Sequence, residues 1–154
     1  MKECGITEFL AGGDFNYLNP TGDMSDEEKK ELMRKRFFAD DFFLSANAVT
    51  IDGRIFQEDG ASTRVAPMIY GPDNVIIIIG KNKIVDTEGQ AKARIKKVAP
   101  QNCAKAGFDT PCAVDGRCHD CRVPARSCCT SVTLNYSRIP DRIKVIIVNE
   151  DLGI

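Results

Sequence analysis

Five of the chain's seven cysteines fall between Pro111 and Cys129, in the stretch PCAVDGRCHDCRVPARSCC. From Cys112 the spacing is C-x5-C-x2-C-x6-C, formed by Cys112, Cys118, Cys121 and Cys128, with Cys129 directly following. Thiolates ligate both zinc and iron–sulfur clusters, and a set of four completes either kind of site. The two-residue spacer of C-x-x-C lets both sulfurs reach one metal, and Asp115-Gly116 and Val123-Pro124 suit the tight turns between ligands. Arg117, Arg122 and Arg126 are expected to lower the thiol pKa values and to offset a site's negative charge. Only one short-spaced pair is present, which departs from a zinc ribbon, and the run is sparser than that of a bacterial ferredoxin. Spacing favours a metal or cluster site and leaves open a thiol redox loop or inert buried cysteines. Cys4 and Cys103 read as the inert kind, and His119, inside the C-x-x-C, is expected to point away from a shared metal.

The chain around these residues is that of an ordinary globular protein. Its 154 residues amount to one domain, enough to bury roughly 70% of the unfolded surface without staples. A formal net charge of −1 gives no global drive towards nucleic acid or an anionic membrane. The longest apolar run, Val75 to Ile79, is far shorter than a spanning helix. The start, Met1-Lys2-Glu3-Cys4-Gly5, lacks the apolar core of a secretory signal. The reading is therefore cytoplasmic, where thiols stay reduced, and an odd number of cysteines also argues against disulfides.

The elements that must position the cysteines follow from periodicity. Lys2 to Ala11 is a short amphipathic helix stopped at Gly12-Gly13, and Ser25 with Glu28 caps a helix running to Phe38. The segment 41–50 reads as a buried strand that emerges at Ser45-Ala46-Asn47, followed by a turn at Asp52-Gly53 and a second short strand. A helix over 63–72 must keep Pro67 in its first turn or be broken by it. NVIIIIG, 74–80, is a β-branched run without alternation, as in a central parallel strand. A helix capped by Thr87 runs to Pro100, and after the cysteine loop come a half-exposed strand over 131–137 and a buried one over 142–151. This order favours an α/β fold, a mostly parallel sheet flanked by helices.

In such folds ligands bind beyond the carboxyl ends of strands. Asn47, Asp52, Asp59 and Arg64 are candidate pocket residues there, with Arg64 as an anion clamp, and Lys83 in GKNKIV is placed to meet an anionic substrate. The competing reading makes Asp52-Gly53 and Asp59-Gly60 plain turns and pairs Arg64 with a local carboxylate. Glu150-Asp151 is a pocket edge or a cap, and the charge runs EEKKELMRKR and KARIKK read as solvated helix faces. No Ser/His/Asp arrangement, phosphate-binding loop or dinucleotide fingerprint is present, and the lone His119 leaves little room for histidine general-base catalysis.

Three blocks together resemble the LUD-domain, or lactate-utilisation, proteins. ADDFFLSANAVTIDGRIFQEDGASTRVAPMIYGPDNVIIIIGKNKIV resembles their central block, TPCAVDGRCHDCRVPARSCC the cysteine segment of the four-cysteine clostridial-type branch, and RIKVIIVNEDLGI their C-terminus. The resemblance implies a fold like the NagB, ribose-5-phosphate isomerase and CoA-transferase group. It implies a role in oxidising lactate or similar organic acids, beside redox partner subunits that carry iron–sulfur clusters. Gln57 stands where relatives have Asn, and Ser62-Thr63 where they have Gly-Asn. MKECGITEFL resembles the helix after a glycine-rich turn, so residues 1–154 read as one LUD-like domain short of its first βα portion, with the cysteine-rich loop at 111–129. The expected uncovered sheet surface makes a homodimer an expectation.

The resulting expectation is an accessory protein of organic-acid oxidation whose Cys112, Cys118, Cys121 and Cys128 bind a 4Fe–4S cluster, ahead of zinc. The alternatives are a non-catalytic module with structural zinc and a phosphate- or CoA-type small-molecule binder.

Overall fold

The computed structural model describes residues 3–154. At its centre a three-stranded sheet in the order β1-β4-β7 is wholly parallel. Its strands are β1 (Asp41–Leu44), β4 (Asn74–Gly80) and β7 (Ile143–Val148). β4 lies between the other two, with Phe42 opposite Val75 and Ile77 opposite Val145. A strand flanked on both sides and packed on both faces needs no polar face, which explains its run of isoleucines. Val75, Ile77 and Ile79 are fully buried, and with Phe42, Leu44, Val65 and Met68 they build the main core.

A second sheet has the order β5-β2-β3-β6 and comprises β2 (Ala48–Thr50), β3 (Ile55–Asp59), β5 (Ile84–Val85) and β6 (Thr130–Leu134). β2 pairs antiparallel with β3 and parallel with β5, and β3 pairs antiparallel with β6. The segment 41–50 is therefore two strands in two sheets. Gln57, 1% exposed, makes the break: its amide donates to Ser45 O at 2.8 Å and accepts from Asn47 N at 3.0 Å. The buried side-chain amide thus gives Ser45 O a donor where the chain changes sheets and shares the Asn47 N–H with Phe56 O, 3.1 Å away.

The helices are α1 (Ile6–Gly12), α2 (Asp26–Lys35), α3 (Val65–Ile69), α4 (Glu88–Lys105) and α5 (Pro111–Asp115). The expected capping box at Ser25 and Glu28 is present, and Thr87 and Gln90 form a second one at the start of α4. The helix expected over Lys2–Ala11 forms at Ile6–Gly12, and Lys2 itself lies outside the described residues. α4 does not stop at Pro100 but continues to Lys105. Proline removes one N–H, and the carbonyl left without that donor belongs to Lys96, an exposed residue, while Pro100 itself is buried. Thr110–Asp115, read from sequence as part of a loop, carries α5, with Pro111 at its first turn. β7 is not the buried strand its apolar sequence suggests: Val145, Ile146 and Ile147 are 37%, 49% and 56% exposed. Hydropathy reports what a strand prefers to bury, whereas β7 is an edge strand paired only with β4 among the described residues.

One buried cation ties the last strand to α3. Arg142, just before β7, is 8% exposed and donates to the carbonyls of Pro67, Met68 and Pro72 at 3.2, 3.0 and 3.0 Å. These include the last carbonyls of α3, where a positive charge is favoured.

Candidate functional site

Three segments bring thiols together. The continuation of α4 past Pro100 places Cys103 in the helix's final turn, where it is 3% exposed. Cys112 is buried in the first turn of α5, its sulfur 3.3 Å from Thr110 Oγ1 and within hydrogen-bonding reach of Cys103. The loop after α5 returns Cys121 close enough to act electrostatically on Cys103, and Cys128 close enough to interact with both Cys103 and Cys118. The four cysteines singled out by spacing thus share a neighbourhood with Cys103, which the sequence reading set aside as inert. The only sequence signal for Cys103 is its place nine residues before Cys112. Helix continuation through a proline was needed to use it.

Arg126 organises the loop. Its guanidinium donates to the carbonyls of Asp120, Cys121 and Cys128 and pairs with the Asp120 carboxylate at 2.8 Å. Asp120 adopts a left-handed backbone with φ 47°, a conformation that aspartate tolerates better than most residues. Asp115 holds the preceding turn, accepting from Arg117 N at 3.0 Å and lying 2.8 Å from His119 Nε2. His119 is therefore engaged away from the thiols, as its place in the C-x-x-C suggested. Cys129 anchors the loop's end to β3: its N–H donates to Asp59 O at 3.0 Å, and its thiol to Arg126 O at 3.1 Å. Gly60 allows the approach, since a Cβ there would lie 3.1 Å from Ser127 O. Beside the loop, between Thr110-Pro111 and Val123-Pro124, is an open cleft of about 460 Å³.

The electrostatics reverse one expectation. Burial pushes the Cys103 thiol above its ordinary pKa, reinforced by Cys112. Burial also pushes Cys128 up to about 11, with Glu58, Cys103 and Cys118 adding to the rise, and Arg126 opposes it only in part. At these two positions desolvation and neighbouring negative charge outweigh the arginines. Among the described residues no group of three or more His, Cys, Asp or Glu side chains stands in metal-binding geometry. The donor set nevertheless suits a thiophilic metal or cluster. All five sulfurs are free thiols, and their thiolates would repel one another until a cation relieved the repulsion. Completing a ligand shell requires exposed Cys118 and half-buried Cys121 and Cys128 to turn inward.

The other candidates separate into two groups. Asp52 is exposed and accepts from Thr50 Oγ1 and Arg54 within the turn at Gly53, whose φ is 88°. Asp59 is buried and accepts from the backbone N–H groups of Gly60, Arg64 and Val65, which makes it the anchor of α3's start. Both carboxylates serve local turns. Asn47 and Arg64 also have partners on β3, Asn47 Oδ1 accepting from Glu58 N at 2.8 Å and Arg64 pairing with Asp59 as the competing reading expected, while Lys83 reaches the segment after β1 and feels the charge of Arg64. Lys83 is 9% exposed and its ammonium donates to Ser45 Oγ at 3.0 Å. Arg94 of α4 donates to Asn47 O at 2.6 Å and to Asn82 O at 3.0 Å. Arg64 donates to Glu58 O at 2.9 Å and lies 3.6 Å from Asp59. Sequence reasoning missed Ser45 and Arg94, and it took Arg94, in KARIKK, for a solvated side chain; one arginine in a charged helix carries no signal of its own.

Fold and site define an α/β protein with a parallel central sheet, a cationic carboxyl edge and a thiol-rich loop against one helix. The chain belongs to the LUD-domain family, whose pattern it matches over residues 1–148. Membership relates it to lactate utilisation. It is similar to the crystal structure of a DUF162-family protein from Deinococcus radiodurans, with 15% identity and a TM-score of 0.45 over 85% of this chain and 70% of that one. A comparison with curated protein sequences returned no match. No helix among the described residues is long and apolar enough to cross a membrane.

Proposed function

We propose that this LUD-domain protein serves the oxidation of lactate or a related organic acid as a redox accessory, passing electrons between partner subunits. The observation that supports this reading is the shared neighbourhood of Cys103, Cys112, Cys118, Cys121 and Cys128 beside Arg126. Cys112, Cys121 and Cys128 would hold an iron–sulfur cluster of the 4Fe–4S type, with Cys118 or Cys103 as the fourth ligand. When bound, such a cluster supplies one-electron chemistry at a potential set by its surroundings. Arg126 positions the Cys121 and Cys128 backbones, and its charge, with those of Arg117 and Arg122, favours the reduced and more negative state. The protein works in the cytoplasm, where these thiols stay free for ligation.

The experiment is purification without oxygen followed by an absorbance spectrum with iron, sulfide and zinc analysis, on the native chain and on Cys118→Ser, Cys103→Ser and Cys121→Ser. Iron and sulfide that disappear in Cys121→Ser bear out the reading, and whichever of the other two variants also loses them identifies the fourth ligand. One zinc per chain and no sulfide replaces the reading with a structural clip for a loop that has little packing of its own. Neither metal in the native chain overturns both.

A further inference from the structure

Lys83 is an unusual residue to bury. An ammonium has three donors and a full charge, yet among the described residues Lys83 donates one hydrogen bond, to the Ser45 hydroxyl. Its charged neighbours make the position worse. Arg94 and Arg64 both act on it with like charge, and among the described residues the carboxylate that acts on it is Glu3. Burial and the two guanidiniums hold the ammonium below its ordinary lysine pKa. Among the described residues Arg94 has no carboxylate partner and donates to the carbonyls of Asn47 and Asn82, whereas Arg64 donates to the carbonyl of Glu58 and lies 3.6 Å from the Asp59 carboxylate, which offsets part of its charge. Lys83 at the Ser45 hydroxyl, with Arg94 and Arg64 close enough to act on it electrostatically, forms a positive focus at the carboxyl ends of two parallel strands.

The cover over this focus is light. Leu152 N donates to Asn82 Oδ1 at 3.2 Å, and Gly153 N donates to Glu3 Oε2 at 2.6 Å. Gly153 takes φ 65°, and a Cβ on it would stand 3.4 Å from Lys83 Nζ. The glycine therefore leaves the ammonium reachable, and Glu3 is held over it by one backbone bond.

We propose that Lys83, Arg64 and the Ser45 hydroxyl recognise a small oxyanion, a carboxylate or a phosphate group, at the position where Glu3 now supplies counter-charge. Arg94 acts as a positioning residue: it fixes the segments after β1 and β4 through its two carbonyl bonds and adds charge. Charge-assisted hydrogen bonds to an oxyanion give Lys83 partners beyond the one bond it makes among the described residues. The site uses no thiol and its test adds no metal, so it stands or falls apart from the cluster.

The test is a thermal-shift titration of the native chain with sodium L-lactate and, separately, inorganic phosphate, each against sodium chloride of equal ionic strength, with no metal added. Expected is a saturable rise in melting temperature with one or both anions and none with chloride. Lactate alone marks a hydroxy-acid ligand, and phosphate alone a phosphate ester. The apparent affinity falls at least about tenfold in Lys83→Met and in Arg64→Gln, and rises in Glu3→Gln as the internal competitor is removed. Lys83→Met keeps the aliphatic stem and removes a buried charge, and should it not fold, the half-exposed Arg64 decides alone. No saturable shift with either anion overturns the proposal, as do equal affinities in the native chain and Arg64→Gln, or weaker binding in Glu3→Gln.

Discussion

Replacing Arg142 by methionine isolates the contribution of one buried guanidinium. Methionine fills much of the same volume, so the change removes donors more than packing. The native side chain makes three bonds of 3.0–3.2 Å to the carbonyls of Pro67, Met68 and Pro72, and a longer one of 3.4 Å to Ile69 O. Hydrogen bonds from a charged donor contribute about 1.5–3 kcal/mol each, and burying the guanidinium costs several kcal/mol in return. The net loss should be about 3 kcal/mol, because the carbonyls left behind are buried and gain no water. For a chain of this size that lowers the melting temperature by about 6–12 °C. In urea, with a slope near 2 kcal/mol per molar, the midpoint falls by about 1.5 M at unchanged slope. Arg142→Lys should fall between, since an ammonium cannot reach carbonyls on both sides of the turn. A loss below about 1 kcal/mol would refute the reasoning, showing that the guanidinium's desolvation cancels its bonds.

Two further outcomes follow from the site and the edge strand. In the metal-free protein the Cys128 thiol keeps its proton until the pH approaches about 11, so its alkylation by iodoacetamide, followed by mass spectrometry, should rise only towards that value. Because the folded pKa is raised, the associated stability is complete below the unfolded thiol's pKa of about 8.5 and is lost as pH climbs through the folded value. Glu58→Gln removes the largest cause after burial and should move the alkylation midpoint down, and an unmoved midpoint would discard that assignment. β7 exposes Val145, Ile146 and Ile147 on an edge that pairs only with β4 among the described residues. A second copy placing its own β7 alongside would satisfy both edges, so the chain should self-associate with concentration in analytical ultracentrifugation, and Ile146→Lys should reduce this. A native chain that stays monomeric throughout would remove the homodimer.

Much of the fold could be read along the chain because the signals are local. The run 74–80 is apolar without alternation, and Ser25 with Glu28, and Thr87 with Gln90, place a hydroxyl three residues before an acceptor. Each such signal rests on contacts within a few residues, which sequence order preserves. The cysteine spacing likewise marked the loop whose thiols the fold brings near Cys103. What the sequence could not decide were matters of distance between segments. The break between β1 and β2 depends on Gln57 reaching back to Ser45 and Asn47, and the exposure of β7 depends on its place at the sheet's edge. Cys103 enters the thiol neighbourhood only because α4 runs through Pro100 and meets α5. Arg94 joins Lys83 only because α4 packs on β2, β3 and β5, which brings its guanidinium to the carbonyls of Asn47 and Asn82. Residue type fixes what a side chain is able to do, but burial and neighbouring charge set the cost of doing it. Those two quantities, which raise Cys128 and lower Lys83, exist only once the chain is folded.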